Sequence, residues 1–260
     1  MKIVIISQND LFVIPRNIEK ILKMNDVIIE GLFVLNVKGA LDNKKLYFAR
    51  GFGLFQSLKM AIAMFAKKIA NFLDKCFMHR LLQNKLSIRA IGELHKIPFF
   101  QVKSINSRST LKIIRCMTPD LLVSFSAPCV FKPDLLEIAP FGCINLHCSL
   151  LPNYAGLLPS FWVLYRNEFE TGATVHYMDD EIDNGSILSQ CRIKIENGVS
   201  MFDLIDETKL AGGKLICEVI RAIKLNQLKI VENNSSERSY YSWPTIAQLK
   251  EFRRKGGRLI

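Results

Sequence analysis

The sequence predicts an α/β protein built on a Rossmann-like, open, mostly parallel, doubly wound sheet, with a short helical C-terminal extension. Short apolar runs of strand length alternate with helical patterns from the N-terminus onward, in the βαβ manner that builds parallel sheets. Those runs are apolar throughout rather than on alternate residues, as strands covered on both faces require. A length of 260 residues with 49% hydrophobic content supplies one large core or two small ones.

The first strand is the run Lys2-Ile3-Val4-Ile5-Ile6, too short for a signal-peptide core and read as buried structure. A turn at Ser7-Gln8-Asn9-Asp10, a helix over 15–24 and a strand over 27–35 complete the opening unit. Between 51 and 82 the chain is apolar but broken by Lys59, Lys67, Lys68 and Asp74, so it falls short of the ~20 residues a membrane span needs. The segment reads as one or two amphipathic helices packed on the sheet, ahead of a basic amphipathic surface that touches a membrane or a partner. A second unit follows: helix 87–95, strand 97–101, helix 109–117 and strand 121–125. Strand 142–147 leads into Ser149-Leu150-Leu151-Pro152, and a β segment over 172–178 ends in the acidic turn 179–185. Helical pattern resumes over 201–228, and the tail carries Tyr240-Tyr241-Ser242-Trp243-Pro244 and the basic Arg253-Arg254-Lys255.

In a strand, alternate side chains share a face, so Asn145 and His147 point together while Ile144 and Leu146 pack. An amide donor beside an imidazole suits a developing oxyanion, and the imidazole can also move a proton. Without context, a satisfied histidine capping the strand and a turn-forming asparagine are the better account of the pair. Asp183 precedes Asn184-Gly185, a dipeptide that calls for a tight turn with positive backbone dihedrals and so fixes the carboxylate in place. A calcium loop would need Asp or Asn at Ile182, and the four histidines lack zinc spacing, so no metal is expected. There is no phosphate-binding GxxxxGK[ST], and Gly51 and Gly53 lack the third glycine of a dinucleotide loop. The seven scattered cysteines, never spaced C-x-x-C, suit free thiols in a reducing cytoplasm. A net charge of +11 favours anionic partners.

The run Asn145-Leu146-His147-Cys148-Ser149-Leu150-Leu151-Pro152-Asn153-Tyr154-Ala155-Gly156, followed by Gly172–Met178 and Asp179-Asp180-Glu181-Ile182-Asp183-Asn184-Gly185-Ser186-Ile187-Leu188, closely resembles the folate-dependent formyltransferase family. The resemblance implies N10-formyltetrahydrofolate as donor and Asn145, His147 and Asp183 as the catalytic set. It implies amine attack on the formyl carbon, an oxyanion held by Asn145 and His147, and Asp183 receiving the proton. It also implies a folate slot formed by Ala127, Cys129, Val130 and Phe131 with the loop at Asp179 and Asp180. Its extent divides the chain into a catalytic domain over 1–206, with 51–82 as a helical insertion, and a C-terminal helix and tail over 207–260.

Three branches of the family differ in their amine. A tRNA-acting branch carries a further β-barrel, which the residues after Asp206 hardly accommodate. A purine branch has a glycine-rich phosphate loop where this chain has Ser7-Gln8-Asn9-Asp10. The tail around Tyr240-Tyr241-Ser242-Trp243 resembles members thought to act on nucleotide-linked amino sugars, so an amino sugar is the expected acceptor. Nucleic acid is not expected as a partner, membrane contact is expected to be weak at most, and a homodimer stays open. Two other readings also stay open: hydrolysis of the donor by water, and a folate-binding module without activity.

Overall fold

The computed structural model describes residues 1–10, 13–35, 40–126 and 129–260. A seven-stranded sheet runs in the order β3-β2-β1-β4-β5-β7-β8. Its strands are β1 (Lys2–Gln8), β2 (Ile28–Leu35), β3 (Phe99–Val102), β4 (Leu121–Phe125), β5 (Cys143–His147), β7 (Glu170–Tyr177) and β8 (Ile187–Lys194). The first five are parallel, while β7 and β8 form an antiparallel edge. A two-stranded ribbon pairs β6 (Ala155–Gly156) with β9 (Tyr240–Tyr241). The expected sheet is therefore present, with β3 starting two residues later than its hydrophobic run suggests.

Period-two alternation divides the core. Ile3, Ile5, Leu121, Val123, Ile144, Leu146, Ala173 and Val175 face one apolar cluster, whereas Val4, Ile6, Leu122 and Cys143 face another. Helices α1 (Ile14–Leu22), α4 (Ile88–His95) and α8 (Met201–Lys224) cover the first face. Helices α5 (Arg108–Cys116) and α6 (Pro133–Leu136) cover the second. Local chemistry starts these helices where the sequence signals them. Ser87 accepts the Ala90 N–H at 3.1 Å, Ser107 the Thr110 N–H at 3.3 Å and Ser200 the Asp203 N–H at 3.1 Å. At α1 the buried Asp10 carboxylate takes the Val13 and Ile14 N–H groups (2.9 and 3.3 Å) and pairs with Lys209 on α8 at 2.7 Å. Close approach of α1 and α8 depends on Gly213, where an added Cβ would lie 2.0 Å from the Asn17 side-chain oxygen.

Two expected boundaries differ. α8 runs unbroken through 206 and 207, so no domain division falls there. The segment at 51–82 belongs to a longer helical stretch, α2 (Ala40–Phe52) and α3 (Leu54–Cys76), and α3 packs mainly on α2 rather than on the sheet. It lies against α2 and the C-terminal region, where Phe52, Phe161, Trp162, Leu249 and Phe252 build a third apolar cluster with α7 (Pro159–Tyr165) and α9 (Ile246–Arg254). Amphipathicity alone shows that a helix has an apolar face, not that the face is turned inward. Among the described residues no helix is long and apolar enough to cross a membrane.

Candidate active site

The sheet face opposite α1 and α8 turns polar at the C-terminal ends of β4 and β5. Ser124, Asn145 and His147 sit there on the parallel strands, with Thr174 and His176 on the neighbouring antiparallel β7. All five are buried. Register puts Asn145 opposite His176 and His147 opposite Thr174. A crevice outside the carboxyl ends of such strands is where open α/β sheets bind ligands.

Asp183 reaches this cluster from the loop joining β7 to β8. Its Oδ2 accepts the Gly156 N–H at 2.8 Å and lies 3.3 Å from His147 Nδ1, and its Oδ1 lies 3.6 Å from His176 Nε2. Asn145 Nδ2 contacts His176 Nε2 at 3.2 Å. The three expected residues are thus brought together, and His176 joins them.

The opposite ring nitrogens fix the proton arrangement. His147 Nε2 meets the Tyr154 carbonyl at 2.8 Å and His176 Nδ1 the Tyr177 carbonyl at 2.7 Å, so each of these nitrogens must carry a hydrogen and donate it. His147 then presents Nδ1 to a carboxylate, a contact that becomes a charge-assisted hydrogen bond when a proton resides there. Asn145 has two amide hydrogens, and one of them serves an unprotonated His176 Nε2. Burial acts to raise the Asp183 carboxyl. The charge of His147, the hydrogen bond and charge that His176 supplies when its Nε2 is protonated, and the Gly156 N–H outweigh it and hold the group well below the usual carboxylate range.

Backbone form supports the geometry. Ser149 Oγ donates to the Asn153 and Tyr154 carbonyls at 3.0 and 3.2 Å, Thr174 Oγ1 donates to the Ser149 carbonyl at 2.6 Å, and Gln190 Nε2 donates to the Leu151 carbonyl at 2.7 Å. These bonds return the Tyr154 carbonyl to His147. Ser126, Tyr154 and Asp183 all have positive φ (52, 59 and 49°), a strained state for residues with a Cβ that costs about 1 kcal/mol or more each and concentrates at working sites. The positive dihedral expected at Asn184-Gly185 therefore falls on Asp183 itself. Gly185 is needed for a different reason, since a Cβ there would sit 2.0 Å from the Tyr177 carbonyl oxygen.

The expected cofactor residues are placed less favourably. Ala127 lies outside the described residues. Cys129 is exposed and Val130 is 42% exposed, whereas the Phe131 ring is wholly enclosed in the second core cluster and cannot line a slot. Asn106 braces this loop, donating to the Val130 carbonyl at 2.9 Å and accepting the Lys132 N–H at 3.0 Å. Asp179 spends its carboxylate inside the turn, accepting from Glu181 N (3.0 Å) and Asn184 Nδ2 (3.1 Å), and Asp180 is exposed. Of the described positions, Phe131 is closed off by the core and Asp179 is engaged within its turn, while the side chains of Cys129, Val130 and Asp180 remain accessible.

The model for formyl transferase proteins matches residues 63–220. The chain belongs to the formyl transferase family. Among its curated relatives, the bifunctional polymyxin resistance protein ArnA of Wigglesworthia glossinidia brevipalpis is 36% identical over 155 residues, covering 60% of this chain and 24% of its own. Methionyl-tRNA formyltransferase of Kosmotoga olearia is 30% identical over 153 residues, covering 59% of this chain and 49% of its own. The chain thus spans half or less of the length of these relatives. In fold it is similar to the N-formyltransferase of Helicobacter canadensis solved with folinic acid and dTDP-3-aminofucose, with a TM-score of 0.59 and 19% identity, over 93% of this chain and 71% of that one.

The tail contributes groups that local sequence reading does not find. Asn233 Nδ2 donates to the Asp183 and Gly185 carbonyls at 3.0 and 3.3 Å. Arg238 donates to the Ile182 carbonyl and to Asn184 Oδ1, and lies 3.6 Å from Glu181. Both residues hold the Asp183 loop from outside. Arg238→Ala is expected to lower turnover about tenfold by letting that carboxylate drift, with partial rescue by Arg238→Lys; steady-state kinetics alongside a thermal melt separates this from unfolding. Tyr241 stacks between Tyr154 and Trp162 (centroids 5.3 and 4.8 Å), so its faces are committed to packing.

Proposed function

We propose that this chain transfers a formyl group from N10-formyltetrahydrofolate to the amino group of a nucleotide-linked amino sugar, with Asn145, His147 and Asp183 as its catalytic residues. The observation that carries the reading is the convergence of these three side chains, from a strand and a loop 36 residues apart (147 to 183), into one largely buried cluster at the carboxyl ends of β4 and β5.

The acceptor amine attacks the formyl carbon, and the carbonyl oxygen becomes an oxyanion. The free Asn145 amide hydrogen stabilises it, together with the positive charge of a protonated His147. Attack makes the amine nitrogen cationic, and its proton passes to Asp183. Collapse breaks the bond to N10 of the folate, which takes up that proton and leaves as tetrahydrofolate. Donor and acceptor each balance, and no covalent enzyme intermediate forms. The bracing of loop 129–132 by Asn106 leaves backbone groups in place for the folate ring.

Two observations support an amino sugar. At the end of β1 the Asp10 carboxylate already occupies the start of α1 and is neutralised by Lys209, so the position where a helix N-terminus would take a ribonucleotide phosphate holds an anion of the protein itself. A protein of the same fold was solved with dTDP-3-aminofucose. The curated methionyl-tRNA formyltransferases favour a second reading, with tRNA as acceptor. Formation of tetrahydrofolate measured across nucleotide-linked amino sugars, glycinamide ribonucleotide and methionyl-tRNA decides between them. Turnover with an amino sugar alone is the expected outcome, and turnover with tRNA or the ribonucleotide instead would overturn the assignment of the acceptor.

A further inference from the structure

Helix α3 is turned inside out relative to a helix that covers a core. Polar side chains hold it to the protein. Near its start Gln56 accepts the Leu259 N–H. Near its end the buried Asp74 takes the Leu82 N–H at 2.7 Å, His79 Nδ1 at 3.3 Å and Lys85 Nζ at 3.4 Å, and Glu93 closes the knot on His79 Nε2 at 2.8 Å.

The side chains presented to solvent are apolar. Leu54 is 82% exposed, Phe55 71%, and Leu58, Ile62, Phe65 and Phe72 follow at helical spacing, each at least 59% exposed. They form one stripe along 23 residues, roughly 35 Å of helix. Phe77, Met78 and Leu81 extend it beyond the helix. A stripe of this length exceeds the scattered exposure normal for a surface and marks an interaction site.

Charge identifies the occupant. Lys59, Lys68 and Lys75 are exposed beside the stripe, and the single carboxylate of α3, Asp74, is buried. Every exposed charge on the helix is therefore positive. Two copies meeting through this face would oppose lysine to lysine with no carboxylate between them, whereas an anionic headgroup layer matches both the lysines and the apolar stripe. No helix among the described residues, α3 included, is long and apolar enough to cross a membrane.

We propose that the outward face of α3 docks on an anionic phospholipid surface, lying in the headgroup plane and holding the protein at the membrane. The reading does not depend on the acceptor or on catalysis, because the face is separate from the Asn145 cluster.

The test is flotation of the full chain with vesicles of phosphatidylcholine containing a quarter phosphatidylglycerol, and with phosphatidylcholine alone. Binding to the anionic vesicles is expected, weakened by salt and poor on the neutral ones. Ile62→Glu/Phe65→Glu should lower the partition at least tenfold, and Lys59→Ala, Lys68→Ala and Lys75→Ala roughly fivefold each. Circular dichroism and thermal melting identical to the parent show that lost binding is not lost folding. Absence of vesicle binding, or equal binding to neutral vesicles, would overturn the proposal. So would a dimer, seen by analytical ultracentrifugation, that Ile62→Glu/Phe65→Glu dissociates while the parent ignores vesicles.

Discussion

Asn145→Ala is expected to lower the rate of formyl transfer by about a hundredfold to a thousandfold, the range found when one oxyanion donor is removed from a preorganised site. Asn145 sits on a buried strand with its amide aimed into the polar cluster, and its protein contact is the 3.2 Å hydrogen bond to His176. That bond holds the amide still, so its remaining hydrogen meets the oxyanion without reorganisation. Because a neutral formyl oxygen needs this donor far less than an oxyanion does, the loss should appear in kcat, with little change in the binding of the folate donor. The strand itself is secured by backbone pairing to β4 and β7, so the melting temperature should move little. Single-turnover rates and folate binding, measured on the same preparation, check both halves of the expectation.

Asp183→Asn is expected to be as damaging, by about a hundredfold or more, because an amide cannot accept the proton that leaves the attacking nitrogen. The same substitution should change the acid stability of the fold. In the folded protein the Asp183 carboxyl is held below its usual range, and below its value of about 3.9 in the unfolded chain. A depressed native value means that the carboxylate stabilises the fold fully above about pH 4 and that this contribution disappears as the pH falls through the lower native value. Denaturation midpoints taken downward from roughly pH 6 should therefore fall more steeply below about pH 4 in the parent than in Asp183→Asn. Parallel curves for the two proteins would show that His147, His176 and Gly156 do not bias this carboxyl as their positions indicate.

Much of the site is legible in the sequence because it follows strand periodicity. Alternation along 143–147 separates Ile144 and Leu146 from Asn145 and His147, and the structure puts the two sets on opposite faces. The same alternation along β7 separates Thr174 and His176 from Ala173 and Val175. Their membership in the site, however, needs the antiparallel register that sets His176 opposite Asn145, and no local pattern specifies a strand's partner. Asn233 and Arg238 are harder still, since the tail must return about 50 residues later to touch the Asp183 loop. Phe131 fails in the other direction. A loop following a strand end suggested a slot, but an aromatic ring gains more from the adjacent core, which encloses it completely. At α3 the period reveals two faces, and only the anchors at Gln56 and Asp74 show which one is turned to solvent.

On the proposed function, the Asn145, His147 and Asp183 cluster moves a formyl group to an amine. The most direct measurement is release of tetrahydrofolate from N10-formyltetrahydrofolate by the parent protein and by Asn145→Ala, with and without a nucleotide-linked amino sugar. Release is expected to require the sugar and to fall by about a hundredfold or more in the variant. Release at the same rate without any amine, or unchanged in Asn145→Ala, would contradict it.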